Sequence, residues 1–131
     1  MATTTATLTL ASGDLTGDAL SLSSTSTLTK LGVATGLDQT TGVGRKYYAA
    51  ATTAGTLIAA ADYTSAKAHK VYIKNLSSDD AETVEILVGS QAIGKLSGGD
   101  FTFLPYDGAT DINITTSTIA MTVEYMVVFE A

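Results

Sequence analysis

The sequence predicts an all-β protein: an antiparallel β-sandwich, jelly-roll-like in its winding, with an extended N-terminal β arm. Three observations carry that expectation. Strand-like runs recur about every ten residues with turn residues between them, the spacing of sandwiches and barrels. No segment sustains a helical period. All six tyrosines and three phenylalanines fall between Tyr47 and Phe129, whereas the first 46 residues are threonine, serine, glycine and scattered leucine with few charges. That opening has β propensity but too little bulk to close a core alone, so residues 1–44 read as an arm that needs another surface, and residues 45–131 as the sandwich.

The arm holds expected strands at 3–10 and 19–29. In the domain, strands are expected at 45–52, 56–60, 69–76, 83–88, 92–96, 100–104, 111–116 and 121–130. Ala59–Lys70 is the best helical candidate, but Asp62-Tyr63-Thr64-Ser65 at its centre favours a turn or one short helical turn. Alternation is clearest in the second half. Val71 and Ile73 oppose Tyr72 and Lys74; Val84, Ile86 and Val88 oppose Glu85 and Leu87; Ile112 and Ile114 oppose Asn113 and Thr115. Along the last strand Met121, Val123, Tyr125, Val127 and Phe129 share one face. The other face, Thr122, Glu124, Met126, Val128 and Glu130, is polar at its ends and apolar in its middle, so Met126 and Val128 are expected to lie under the arm or a neighbouring subunit. The predicted core is Val71, Ile73, Val84, Ile86, Val123, Tyr125 and Val127. Ser97-Gly98-Gly99-Asp100 suits a tight hairpin and Pro105-Tyr106-Asp107-Gly108 a turn, while Leu76 to Thr83 reads as a charged loop.

Composition narrows the function. With 131 residues the chain fits one domain. Low proline, low charge and 45% apolar residues oppose disorder despite the abundance of serine and threonine. There is no cysteine, so disulfides and thiolate metal sites are excluded. The first residues lack a basic and apolar leader, and no run reaches the roughly 18 apolar residues of a membrane span, so a soluble protein made in the cytoplasm is expected. A net charge of −6 disfavours nucleic-acid phosphates. The small basic cluster Lys67, His69, Lys70 and Lys74, followed by Asp79, Asp80, Glu82 and Glu85, reads as a solvated mixed surface.

Candidates for chemistry each have a plainer reading. His69 lacks an adjacent acid and no Gly-x-Ser-x-Gly elbow occurs, so it reads as a surface histidine and no enzyme is predicted. Gly42-Val43-Gly44-Arg45-Lys46 lacks the spacing and following helix of a phosphate loop and reads as a hinge between arm and domain. Asp107 and Asp111 flank Gly108 without EF-hand spacing and read as turn residues, and no metal or cofactor is assigned. Asn75-Leu76-Ser77 and Asn113-Ile114-Thr115 match glycosylation sequons but lack a secretory signal. Tyr47, Tyr48, Tyr63, Tyr72 and Tyr106 suggest either a sugar-stacking platform or, in the absence of tryptophan, packing and subunit contact.

The segment AADYTSAKAHKVYIKNLSSDDAETVEILVGSQAIGKLSGGDFTFLPY from Ala60, the closing TVEYMVVFE and the Thr-rich opening resemble small structural proteins of tailed-phage virions, including phages of marine bacteria. The shared pattern is a Val-Tyr-Ile-Lys-Asn-Leu strand, an Ile-Gly-x-Leu-x-x-Gly hairpin and a Val-Glu-Tyr-x-x-x-x-Glu terminus. The resemblance implies a head or tail structural protein. An acidic, cysteine-free β subunit suits the head exterior: a decoration or cement protein bound to the major capsid protein on the outside of the virion, made in the host cytoplasm, and homo-oligomeric with a trimer preferred. A tail protein and a carbohydrate- or host-surface-binding module are the alternatives. The expected interface is Leu8, Leu10, Leu20 and Leu22 of the arm, adding as strands to a neighbour's open sheet edge, together with Met126 and Val128.

Overall fold

The computed structural model of the chain describes residues 3–15 and 17–131; Met1, Ala2 and Thr16 of the expected arm lie outside them. The protein is all-β. Its strands are β1 (Thr5–Ser12), β2 (Leu20–Thr27), β3 (Gln39–Thr40), β4 (Gly44–Tyr48), β5 (Gly55–Ile58), β6 (His69–Asn75), β7 (Val84–Val88), β8 (Gln91–Leu96), β9 (Phe101–Tyr106), β10 (Ile112–Thr116) and β11 (Met121–Phe129). The one helical turn among the described residues, a 3-10 turn at Ala60–Asp62, falls inside the ambiguous segment Ala59–Lys70.

Strands β5-β10-β7-β8 form one antiparallel sheet. In the other, β3 and β4 both pair with one side of β11, followed by β6 and β9. The two sheets face each other across one core. Val71, Ile73, Val123 and Val127 come from the larger sheet, and Val84, Ile86, Ile112 and Ile114 from the smaller. Each is at most 2% exposed, and a fully buried side chain of this size contributes about 1.5–3 kcal/mol. The alternation read from β6, β7 and β10 is therefore the core face itself.

Tyr125 and Phe129, expected among the core residues of the last strand, are only partly buried. Tyr125 pairs across from Gly44, and its ring lies over the space a Cβ would occupy, 3.3 Å from Cζ. Phe129 packs edge-on against Tyr63 with centroids 5.2 Å apart.

Strand 45–52 ends early, at Tyr48, because the chain must cross there from one sheet to the other. Thr52 anchors the crossing: its N–H donates to Thr116 Oγ1 at 3.0 Å, and its carbonyl accepts from Thr116 N–H at 2.9 Å. The Ser97–Asp100 segment does close a β-turn, with Asp100 N–H on Ser97 O at 3.0 Å and Gly99 at φ +84°. It is a corner and not the expected hairpin, since β8 pairs with β7 in one sheet and β9 with β6 in the other. Pro105 and Tyr106 belong to β9 and not to a turn; β9 is an edge strand, where a missing N–H is tolerated.

The arm differs most from expectation. β1 and β2 pair with each other through eight consecutive residue pairs, from Thr5↔Thr27 to Ser12↔Leu20. Residues 28–44, grouped with the arm from sequence, pack on the sandwich: Leu28 and Leu37 bury Val128, and β3 extends the β11 ladder. Gly42 to Lys46 is accordingly not a hinge between arm and domain. It joins two strands of one sheet, with Gly42 at φ +69°, Arg45 on Glu124 at 3.1 Å and Lys46 Nζ on Thr56 O at 2.7 Å.

Candidate interaction surface

The side chains weighed as candidates for chemistry have structural roles. His69 is a core residue, not a surface one: it is fully buried, Nε2 lies 2.9 Å from Thr64 O, and the ring sits among Tyr63, Tyr106 and Phe129. Strand alternation breaks up the basic cluster by turning His69 inward and Lys70 and Lys74 outward. Asp107 Oδ1 accepts Ala109 N–H at 2.9 Å and Asp111 Oδ1 accepts Ala60 N–H at 2.8 Å, and no group of three metal-ligating side chains occurs among the described residues.

The five tyrosines share no platform. Tyr47 is exposed, Tyr48 and Tyr106 are buried, Tyr63 packs on the core, and Tyr72 lies outside on β6. Burial pushes the Tyr48 phenol up to about 12; burial, then Asp111 and Asp107, do the same for Tyr106, whose hydroxyl donates to Thr110 O at 2.8 Å. Asn75 is fully buried, so in the folded protein its sequon is closed.

Four of the six expected interface residues do come together. Residues 8, 10 and 12 of β1 lie opposite 24, 22 and 20 of β2, so Leu8, Leu10, Leu20 and Leu22 share one face, Leu10 directly across from Leu22. They are 37–47% exposed. The opposite face is hydroxylated, with Thr7 and Thr25 Oγ1 2.9 Å apart. Met126 and Val128 are separate from this face. Val128 is 7% exposed beneath Leu28 and Leu37, and Met126 packs at the margin of that cluster, so the chain's own residues cover the apolar middle of β11.

The structure adds residues that the sequence reading passed over. Phe101 and Phe103 project outward from β9, 59% and 44% exposed, beside Tyr72 of β6. They form the floor of an open groove of about 520 Å³ whose far wall is Ala6 and Leu8 of the hairpin. The available signal was Pro105, which marks β9 as an edge strand. It was masked because both alternating sets, Phe101/Phe103 and Leu104/Tyr106, are apolar.

Glu130 clasps the segment after the hairpin to the sandwich. Its carboxylate accepts N–H groups of Leu31 and Ala68, both at 3.2 Å, and pairs with Lys67 at 3.3 Å. The Leu31 N–H foremost, then Ala68 and Lys67, hold it below its ordinary 4.5 against the opposing effect of burial. A depressed carboxylate contributes stability above its unfolded value and loses it as pH falls through the lower folded value. Protection of the Leu31 and Leu37 amides from hydrogen exchange should therefore drop below about pH 4.5, and Glu130→Gln should show reduced protection already at neutral pH. Unchanged exchange in the variant would remove the clasp.

In comparisons with protein-family models, curated proteins and solved structures, nothing matches this chain.

Proposed function

We propose that the protein is a virion structural protein, a capsid decoration or cement protein that binds the major capsid protein from outside and stabilises the shell by bridging subunits, as a homo-oligomer with a trimer preferred. The observation that carries the proposal is the hairpin whose two strands hold no charged residue and expose four leucines on one face. A two-stranded hairpin with an open apolar face is marginal alone, and such a face suits a neighbouring protein. Two features support the setting. Strand pairs β4–β11, β5–β10, β6–β9 and β7–β8 are nested, first with last, as in a jelly-roll winding, an architecture used by capsid and lectin domains. The charge of −6 suits a surface away from DNA.

Attachment through a face replaces the expected addition of the arm's strands to a neighbour's open sheet edge. β1 and β2 satisfy each other along their shared edge, so docking uses the leucine face, with only the outer edges left to pair. Leu28 belongs to the cluster over Val128, so deletion of residues 2–27 removes the hairpin, with Ala6 at the cluster's margin, and keeps its buried members Leu28, Leu37 and Val128. The truncated protein should melt cooperatively yet no longer sediment with shells or raise their heat resistance. Each leucine that becomes fully buried is worth about 1.5–3 kcal/mol, and because the two strands that present them carry no charge, this contact is nearly salt-independent. Shell binding equal to that of the whole chain would refute the docking role of the hairpin.

A further inference from the structure

We infer that the groove between hairpin and sandwich, together with the stretch of β6 that leads from it to Lys74, receives an extended acidic segment of a partner protein, its apolar side chain on Phe101, Phe103 and Tyr72 and its carboxylates on Lys70, which lines the groove, and Lys74, which lies beyond it. Charge complementarity carries this. The chain has 13 carboxylates and 7 lysines and arginines. Lys30, Arg45, Lys67 and Lys95 each lie within 2.6–3.9 Å of a carboxylate oxygen. Lys46 donates to Thr56 O and covers the Tyr48 ring. Among the described lysine and arginine side chains only those of Lys70 and Lys74 have neither an ion pair nor a hydrogen bond, and alternation puts both on the same face of β6, on either side of Tyr72.

Across the ladder from Lys70, Tyr72 and Lys74 stand Pro105, Phe103 and Phe101 on β9. On the other side stand Val128, Met126 and Glu124 of β11. Glu124 is directly opposite Lys74 but forms no ion pair with it, its two oxygens turned instead to Arg45 at 3.1 Å and the Tyr72 hydroxyl at 3.1 Å. The lysines are four residues apart on a strand, about 13 Å at the usual rise. An extended partner with carboxylates four residues apart matches that interval, and the side chain midway between them meets the aromatic floor. A nucleic-acid strand fits less well, because two cations neutralise few phosphates and the whole molecule is acidic.

This deepens the docking reading by giving the chemistry of the partner, and a peptide assay without shells separates the two. The probes are a labelled nine-residue peptide of valine and threonine carrying two glutamates four residues apart around a central leucine, the same peptide with lysine for glutamate, and an oligothymidylate. The glutamate peptide should bind, more weakly as salt rises. Lys70→Glu/Lys74→Glu should weaken it roughly tenfold, and Lys70→Gln/Lys74→Gln, which keeps part of each stem on the sheet, in the same direction by less. Phe101→Ala/Phe103→Ala, at exposed positions, should also weaken it roughly tenfold. Equal binding of the two peptides, preference for the oligothymidylate, or indifference to the lysine substitutions overturns the inference. So does self-association of the protein that the same substitutions abolish, which would assign the groove to a second copy. Peptide binding without shell binding would instead remove the capsid reading and leave the groove.

Discussion

Val123→Asp should abolish folding. Val123 lies on β11 between Lys46 of β4 and Asn75 of β6, fully buried in the sandwich core. An unpaired carboxylate there costs several kcal/mol, against the roughly 5–15 kcal/mol by which a domain of this kind is stable. Thr122→Asp, one residue earlier and on the outward face, should change stability by only about 0.5 kcal/mol. Circular dichroism and a thermal melt of both variants decide it. A soluble Val123→Asp protein with a cooperative transition would show that the face of β11 is assigned wrongly, and with it the packing of both sheets.

Asn75→Ala should cost about 3 kcal/mol without changing the fold. The fully buried amide of Asn75 donates to Glu82 O at 2.9 Å and Leu96 O at 3.1 Å, and its carbonyl accepts Ser77 N–H at 3.1 Å. One side chain thus ties the end of β6, the loop before β7 and the end of β8. Its backbone joins the same knot, with Asn75 N–H on Asp100 O and Gly99 N–H on Asn75 O. Alanine strands three backbone groups, and each buried group without a partner costs about 1–3 kcal/mol, less than additively within one network. Asn75→Asp should be worse, because it places a carboxylate against two carbonyl oxygens. Urea denaturation measures both, and a loss under about 1 kcal/mol for alanine would mean that water replaces the amide at little cost.

Where neighbouring residues alternate between apolar and polar, the sequence was a sufficient guide. Val71 and Ile73, Val84 and Ile86, and Ile112 and Ile114 are all core, because a pleated strand gives successive side chains opposite faces whatever its partner. The leucine face of the hairpin was legible for the same reason. The two residues of β3 are too few to carry a period, so that strand is visible only through its pairing with Val128 and Phe129. His69 illustrates a different failure. Its charged neighbours Lys67 and Lys70 suggested surface, yet strand parity places it with Val71 and Ile73, and parity prevailed.

The sequence by itself determined the all-β class, most strand positions, the core face of each well-patterned strand and the apolar face of the arm, since these depend on residues two apart. Only the tertiary structure decided which strands pair. It joined β1 to β2, sent β8 and β9 into different sheets, laid Leu28 and Leu37 over Val128, and set Leu8 across a groove from Phe101 and Phe103. Those outcomes depend on hydrogen-bonded edges and packed faces from residues up to a hundred positions apart, such as Leu31 on Glu130. A local period of two is the same for every possible neighbour, so it holds no information about which neighbour is chosen.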